Sequence, residues 1–358
     1  APEVVVEVLD RLDPLNRFDP LEPAVPVPAH APRVDGRSAE LPAERGQFLS
    51  KHFASAAGAR NFKLYVPSTY AGTPLPLVVM LHGCTQNPDD FALGTRANRW
   101  AEARGYLVAY PEQIQRANSH RCWNWFRSGD QHAGSGEPAL IAGITQQVIA
   151  EYQIDARRVY VAGLSAGGAM AAVMGQAYPE LFAAIGVHSG LPVGVAQDVS
   201  SALMLMKTGS SPLTHKLFAR PPSAQSSSER AVPMIVVQGD ADRTVNPVNA
   251  TRLVEQAVAA RQSTNSETTL RQSVQTVDAN TAGHGYRRTQ YADPSGVPVI
   301  EQWEIQGVGH AWSGGDAAGS YTDARGPDAT RAMLEFFNRH LAPVAWAGAG
   351  VTDSAIPT

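Results

Sequence analysis

Short apolar runs rich in β-branched residues recur along the chain, and a polar or glycine-containing turn follows each of them. Runs of this length and composition are typical of strands. The predicted strands are residues 77–81, 158–162, 184–187, 232–237 and 298–305. An Ala- and Met-rich stretch at 169–177 has good helix propensity. The pattern favours an α/β fold with a mostly parallel central sheet and helices on both faces.

The turn after the predicted strand 158–162 has the sequence GLSAG at 163–167, which fits the pattern G-x-S-x-G. Glycines on both sides of a serine let the chain turn sharply and hold the hydroxyl above the sheet edge. The order of strand, tight turn and helix is typical of the nucleophile elbow of α/β-hydrolases. The sequence therefore predicts an α/β-hydrolase fold with Ser165 as nucleophile.

A serine nucleophile needs a histidine base and a carboxylate that orients this base. In this fold the acid follows the serine along the chain and the histidine comes last. Two aspartates, Asp240 and Asp242, lie in the turn after strand 232–237. We predict Asp242 as the acid because it lies further into the turn and can project back toward the sheet edge. Asp240 is expected to bond turn amides locally.

Among the 10 histidines, His310 has the most suitable position for a base. It lies in the glycine-flanked sequence GVGHAWSGG at 307–315, after the last predicted strand, and completes the order of serine, acid and histidine. His188 follows strand 184–187 and is expected to be a wall residue near the site. His284, in a polar loop, is a weaker rival base.

The oxyanion that forms when a serine attacks an ester needs backbone N–H donors that already point at it. One donor should be the amide of Ala166, directly after the nucleophile. The other should come from the loop after strand 77–81, where the amide of Cys84 is the natural candidate.

Four motifs occur in order along the chain: LHGCTQ at 81–86, CWNWF at 122–126, GLSAGG at 163–168 and GHAWSGG at 309–315. Together they resemble the poly(3-hydroxybutyrate) depolymerase family of esterases, from about Gly46 to His340. The resemblance implies an α/β-hydrolase that cleaves ester bonds with Ser165, Asp242 and His310 as catalytic triad. Because related members include feruloyl and acetylxylan esterases and poly(aspartic acid) hydrolases, the resemblance indicates the chemistry better than the substrate.

Three regions differ in composition: a proline-rich arm at 1–45, a catalytic domain at 46–342 and a tail of small residues at 343–358. The arm is expected to pack over the domain or to reach a neighbouring subunit of a homodimer, or else to be a partly ordered leader. Residues 192–230 have few strand signals, which suggests a lid-like insertion. The tail is too short to form a polymer-binding domain, so oligomers, amorphous polymer or short esters are the expected substrates.

The composition agrees with one large α/β domain: 358 residues, of which 44% are hydrophobic and 17% are charged. A net charge of −4 gives no indication of nucleic acid binding or of a membrane surface as partner. No apolar run is long enough to span a bilayer. We expect no cofactor and no metal, because a triad with an oxyanion hole completes acyl transfer to water.

The two cysteines, Cys84 and Cys122, both lie in segments that should border the same cleft. A disulfide between them would fix the two loops to each other and contribute about 4 kcal/mol by the chain-entropy estimate. This interpretation favours a secreted or periplasmic protein. The alternative is two reduced thiols in a cytoplasmic protein.

Aromatic residues of the CWNWF and GHAWSGG motifs are candidates for an apolar wall around the substrate. The predicted substrate-binding residues are Trp123, Trp312, His82 and Asn124, although Asn124 could instead hydrogen-bond to keep its loop ordered. A cationic cluster near CWNWF keeps open the alternative of a polyanionic substrate, poly(aspartic acid), cleaved at amide bonds by the same triad. Its members are Arg116, His120, Arg121 and Arg127.

Overall fold

Successive side chains along the central strands enter two different cores, one on each face of the main sheet. In β3 (Leu75–Leu81), Leu77 and Val79 belong to one cluster of buried residues, and Val78 and Met80 belong to the other. A strand that is apolar at every position is expected where both faces of a sheet are covered. The continuous apolar runs of the sequence are therefore explained by burial on both sides.

The structure is a computed structural model that describes residues 41–210, 230–264, 269–281 and 283–343. Within these residues the main sheet has ten strands in the order β1-β2-β4-β3-β5-β6-β7-β10-β9-β8. The other nine strands of this sheet are β1 (Gln47–Ser55), β2 (Gly58–Val66), β4 (Leu107–Pro111), β5 (Ile154–Leu164), β6 (Ala184–His188), β7 (Met234–Gly239), β8 (Arg271–Val277), β9 (Tyr286–Ala292) and β10 (Pro298–Ile305). Two short strands, β11 (Trp312–Ser313) and β12 (Thr322–Asp323), pair separately.

The centre of the sheet, from β4 to β10 in the strand order, is parallel. Antiparallel pairs lie at both edges, with β1 and β2 on one side and β8 and β9 on the other. Parallel strands present their carboxyl ends at the same edge of a sheet, and loops there can bring distant residues together. The prediction of a mostly parallel central sheet is confirmed.

Helices cover both faces of the sheet, as the sequence predicts. The helices are α1 (Pro88–Thr95), α2 (Ala97–Arg104), α3 (Gly136–Glu151), α4 (Ala166–Ala177), α5 (Val199–Thr208), α6 (Val248–Thr264) and α7 (Ala329–Phe337). Helices α3 to α6 contribute to one core, and α1, α2 and α7 contribute to the other. None of the helices in the described ranges has the length and apolar character needed to cross a bilayer.

Most predicted elements lie where the sequence places them, with small shifts at their ends. Strand β7 begins at Met234 and not at Val232, because Pro233 has no N–H to offer to the ladder. Helix α4 begins directly after Ser165, three residues before the predicted start at Ala169. Of the predicted lid-like insertion at 192–230, the described part contains α5, and 211–229 lie outside the described residues. Residues 1–40 of the arm and 344–358 of the tail also lie outside them.

Candidate active site

Ser165 lies in the tight turn between β5 and α4, at the carboxyl edge of the sheet. Its backbone has φ 58° and ψ −119°, a left-handed conformation that costs energy for a residue with a side chain. The Ser165 N–H donates to the carbonyl of His188 at 2.9 Å, and the Ser165 carbonyl accepts from the Ala169 amide at 2.9 Å. Hydrogen bonds on both sides therefore hold the serine in the strained conformation that raises its side chain above the sheet edge.

The glycines of this turn are required by space. A Cβ atom on Gly163 would lie 2.6 Å from the carbonyl oxygen of Leu81, and one on Gly167 would lie 2.6 Å from that of His82. Real Cβ atoms do not approach backbone oxygens so closely. The G-x-S-x-G pattern is thus explained by the close approach of the turn to the end of β3.

Asp242 and His310 meet across the loops that follow β7 and β10. Oδ2 of Asp242 lies 2.8 Å from Nδ1 of His310, and Oδ1 accepts from the amides of Thr244 at 2.8 Å and Val245 at 2.9 Å. Burial raises the pKa of Asp242, but the hydrogen bonds from His310 and the turn amides outweigh it and hold the pKa below its ordinary value. The ionised carboxylate can only accept, so Nδ1 of His310 carries the proton and Nε2 is free to act as a base.

The structure brings Ser165 and His310 to the same edge through a common neighbour, His188. The His188 carbonyl accepts from Ser165 at 2.9 Å, and its Nε2 accepts from the Ser313 amide at 3.0 Å. Among the described residues, no hydrogen bond joins the Ser165 hydroxyl to His310. Such bonds are often long without substrate and tighten when it binds.

Asp240 and His284, the rivals for the acid and base roles, and His188, the expected wall residue, have other partners. Asp240 is exposed and accepts from the Gly307 amide at 2.7 Å, so the expectation of a local turn bond is wrong, and its partner belongs to the loop before His310. Nε2 of His284 lies 3.2 Å from Oδ2 of Asp323. The expectation that His188 forms part of the wall is also wrong, because this residue is fully buried and burial lowers its pKa to about 3.

The predicted oxyanion donors lie on two sides of Ser165. A Cβ on Gly83 would be 3.6 Å from Cβ of Ser165, so the loop after β3 passes directly beside the serine. Cys84 follows in this loop. Ala166 is the first residue of α4, so its amide has no partner within the helix. The arrangement can offer two amides to an oxygen bound next to Ser165.

The predicted disulfide is confirmed, because Cys84 and Cys122 are bonded across a sequence separation of 38 residues. The neighbouring Thr85 has φ 66° and donates its N–H to the carbonyl of His120 at 2.7 Å. The loop after β3 is therefore joined to the segment before CWNWF by a covalent bond and by a backbone hydrogen bond.

The prediction of four side chains lining the substrate cleft is corrected by their burial. Trp123, Trp312, His82 and Asn124 each expose 1% or less of their surface. Each makes its contacts inside the protein, so an approaching substrate does not meet it. Exposure depends on how distant segments pack, which the local aromatic pattern does not report.

Each of these four residues has a partner that explains its burial. The Trp312 ring stacks on His188 at 5.0 Å, and its indole N–H donates to Thr330 at 3.1 Å. Trp123 lies against His82, with ring centroids 5.8 Å apart. Asn124 bonds inside its own segment and to a buried carboxylate, in agreement with the alternative that it orders the loop.

Tyr321 is a candidate site residue that the sequence analysis missed. Its side chain is 45% exposed, its ring lies edge-on to His310 with centroids 6.3 Å apart, and its hydroxyl lies 3.3 Å from that of Thr85. Its φ of 51° is unusual for an aromatic residue. No local pattern marks it, because the pairing of β11 with β12 brings it to the site.

The cationic cluster near CWNWF differs in exposure among its members. Arg116, His120 and Arg127 are exposed, whereas Arg121 is partly buried with φ 54°.

Within the described ranges, no group of three His, Cys, Asp or Glu side chains is arranged to hold a metal ion.

Comparisons with known proteins agree with the fold. The chain matches the family model described as Esterase PHB depolymerase over residues 60–278. It is 34% identical to poly(3-hydroxyalkanoate) depolymerase C of Paucimonas lemoignei over 267 residues, which are 72% of this chain and 60% of that protein. It is also 38% identical to acetylxylan esterase A of Emericella nidulans over 135 residues, which are 37% of this chain and 43% of that protein. The chain thus spans less than two thirds of the length of these relatives.

Among solved structures, an acetyl xylan esterase from Aspergillus awamori is similar in fold. It has a TM-score of 0.62 and 23% sequence identity, and the match covers 82% of this chain and 99% of that chain. From the family match, the relatives and this shared architecture we conclude that the chain belongs to the PHB depolymerase family of esterases and has the α/β-hydrolase fold.

Proposed function

We propose that this chain is a serine esterase that hydrolyses poly- or oligo(3-hydroxybutyrate) through an acyl-enzyme. The observation that carries the proposal is the hydrogen bond of 2.8 Å between Asp242 and His310, at the same sheet edge as the strained Ser165. The similarity to a poly(3-hydroxyalkanoate) depolymerase supports a polyester as substrate.

In the proposed mechanism, Oγ of Ser165 attacks the ester carbonyl carbon while Nε2 of His310 takes the hydroxyl proton. Asp242 stabilises the imidazolium that forms, and the amides of Cys84 and Ala166 donate to the oxyanion. His310 then gives its proton to the leaving alkoxide, and the acyl group stays on Ser165 as an ester. Water attacks this acyl-enzyme in the same way, which releases the acid and restores the serine.

We propose Tyr321 as a wall of the cleft in place of the buried tryptophans. It offers an exposed ring beside His310 and a hydroxyl beside Thr85. An aromatic face suits the apolar part of a hydroxyacyl chain, and a hydroxyl suits its ester oxygens.

A second candidate function is the hydrolysis of poly(aspartic acid), a polyanionic polyamide, by the same triad. The exposed Arg116, His120 and Arg127 near CWNWF favour it, because cations attract an anionic chain. A feruloyl or acetylxylan ester is a further candidate substrate, and the similarity to acetylxylan esterase A supports the acetylxylan ester.

The test is product release from 3-hydroxybutyrate oligomers, amorphous poly(3-hydroxybutyrate), poly(aspartic acid) and feruloyl esters, with wild type and Ser165→Ala. We expect release of hydroxybutyrate by wild type and a loss in kcat on the order of 10⁶-fold in the variant. Ser135→Ala changes an exposed serine at the start of α3 and is the matched control that should keep the wild-type rate.

Each alternative outcome has a distinct meaning. Wild-type rates for Ser165→Ala would disprove the nucleophile assignment. Serine-dependent cleavage of poly(aspartic acid) without hydroxybutyrate release would move the function to amide hydrolysis. Arg127→Gln should then raise KM for that polymer and leave KM for a neutral ester unchanged.

We also propose an oxidising compartment, secreted or periplasmic, because the Cys84–Cys122 disulfide would be reduced in a cytosol that keeps thiols reduced. Quantifying free thiols in protein isolated directly from its native source under alkylation tests this. Two alkylated cysteines would favour the cytoplasmic alternative.

A further inference from the structure

One buried carboxylate near the site has no part in the proposed chemistry. Glu137, at the start of α3, exposes 4% of its surface. Its oxygens accept from the side chain of Gln113 at 2.5 Å, and from the amide and side chain of Asn124 at 2.6 Å and 2.5 Å. The nearest cationic atom paired with it, Nη2 of Arg60, is 3.9 Å away. A carboxylate buried in this way is costly, so its donors must be held firmly in place.

The donors of Glu137 lead to the loop after β3. Gln113 is fully buried, and its side chain also donates to the carbonyl of Cys122 at 3.0 Å. Its backbone N–H donates to Nε2 of His82 at 3.1 Å. Glu137 is thus connected through Gln113 both to the disulfide partner of Cys84 and to the residue two positions before Cys84.

The bond from Gln113 determines which nitrogen of His82 carries a proton. A backbone N–H can only donate, so Nε2 of His82 is an acceptor and Nδ1 carries the hydrogen. This Nδ1 donates to the carbonyl of Gly83 at 2.7 Å. Burial lowers the pKa of His82 to about 4, so the ring stays neutral at pH 7 and this tautomer persists.

The Gly83 carbonyl belongs to the same peptide unit as the Cys84 N–H. In a planar trans peptide the C=O and N–H point in opposite directions, so fixing one fixes the other. The disulfide to Cys122 holds the same residue from its side chain. The orientation of the Cys84 amide is therefore determined twice, and Gln113 takes part in both connections.

We propose that Glu137 and Gln113 are positioning residues for the oxyanion hole, which aim the Cys84 amide through His82 and Cys122. The inference rests on the proposed function, because it assigns a role to the donor of that mechanism. Oxyanion stabilisation depends on donors that are in place before the charge develops. A loosened Cys84 amide should weaken binding of the transition state and leave binding of the ester almost unchanged.

The test is Glu137→Gln, an isosteric change that removes the charge and places an NH₂ group among the donors. We expect kcat to fall about tenfold to 100-fold with KM unchanged, less than or near the effect of deleting one oxyanion donor. The affinity for a trifluoromethyl ketone, which forms a charged tetrahedral adduct with serine, should fall by the same factor. If the role of Glu137 is merely structural, the melting temperature should fall, but kcat and the affinity for the ketone should not fall together.

Glu301→Gln is the matched control. Glu301 exposes 1% of its surface and accepts from Arg288 at 2.8 Å, Gln290 at 2.8 Å and Trp303 at 2.6 Å, on strands away from the loop after β3. It should lower the melting temperature while kcat per folded molecule stays at the wild-type value. If Glu137→Gln does not fold, Gln113→Ala keeps the backbone donor to His82, removes the side-chain bonds to Glu137 and to the Cys122 carbonyl, and should also lower kcat with KM unchanged.

A wild-type kcat and ketone affinity in folded Glu137→Gln or Gln113→Ala would overturn the inference. So would a loss that appears only in KM. The proposed function fails by a different result, a wild-type rate for Ser165→Ala, so the two failures are distinguishable.

Discussion

Two loops flank Ser165, and they are held by different means. The loop after β3 contains Cys84 and is fixed by a disulfide and by a hydrogen bond from the buried Gln113 to His82. The loop after β10 contains His310 and has no disulfide. The Gly307 amide donates to Asp240, Nδ1 of His310 donates to Asp242, and the Ser313 amide donates to Nε2 of His188. In the proposed mechanism, the first loop keeps the Cys84 amide in a fixed orientation. The second loop holds a base that gains and loses a proton, and a carboxylate partner can stabilise its protonated form.

The histidines show the same contrast. His82 and His188 are buried, each accepts a backbone N–H at Nε2, and burial lowers their pKa to about 4 and about 3. His310 has a carboxylate as partner at Nδ1 instead. A neutral ring fixed by backbone groups is suited to support, whereas a ring paired with a carboxylate can accept a proton and hold it.

Among changes to these two loops, the largest effect is expected when the His310 side is broken at Asp242. Asp242→Asn should lower kcat on the order of 10⁴-fold, because an amide can donate to Nδ1 and favour the wrong tautomer of the base. Steady-state kinetics on a soluble oligomer measures this. Asp240→Asn is the matched control, and its kcat should stay within about twofold of wild type, since this exposed oxygen can still accept from Gly307. Equal losses of kcat in the two variants would contradict the assignment of Asp242 as the acid.

Breaking the Cys84 side at the disulfide should lower stability and leave the pH dependence of activity unchanged. The double variant Cys84→Ala, Cys122→Ala loses a link across 38 residues, and the free energy of unfolding should fall by about 4 kcal/mol. Urea unfolding of wild type and variant measures the difference. The pH midpoint of kcat/KM should stay unchanged, because the Asp242–His310 pair is not touched.

Reductant provides the control for this experiment. It should destabilise wild type and have no effect on the double variant, which has no cysteine left. A shift in the pH midpoint of kcat/KM on reduction would show that the two loops are coupled. The contrast between them would then not hold.

The contrast between the loops also separates what the sequence predicts from what it does not. Ser165, Asp242 and His310 could be placed because each follows an apolar strand, and parallel strands end at one edge. The disulfide could be predicted because both cysteines belong to loops at that edge.

The cleft wall could not be predicted, because it depends on long-range packing. Trp312 is buried because it stacks on His188. Tyr321 lies beside His310 because β12 pairs with β11. The network of Glu137 was missed for the same reason, since its partners lie 13 and 24 residues away and no local pattern joins them. Residues at strand ends can therefore be predicted from the sequence, whereas residues that long-range packing brings to the site cannot.

The smallest expected effect concerns the buried histidines. The pKa of His188 is about 3 in the folded protein and 6.5 without burial. Between these values the unfolded chain binds a proton that the folded protein does not, so stability falls as pH falls through this window. Well below pH 6.5 each such histidine should contribute a slope of about 1.4 kcal/mol per pH unit.

Urea unfolding of wild type and His188→Gln between pH 7 and pH 4.5 tests this, because glutamine can accept from Ser313 without binding a proton in either state. The variant should be less stable at pH 7, yet its stability should decline less steeply with acid. His82 and His340, whose pKa burial also lowers to about 4, contribute equally in both proteins and cancel. If His188→Gln keeps the wild-type slope, the ring is protonated inside the fold, and the contrast between a neutral support and a charged base does not hold.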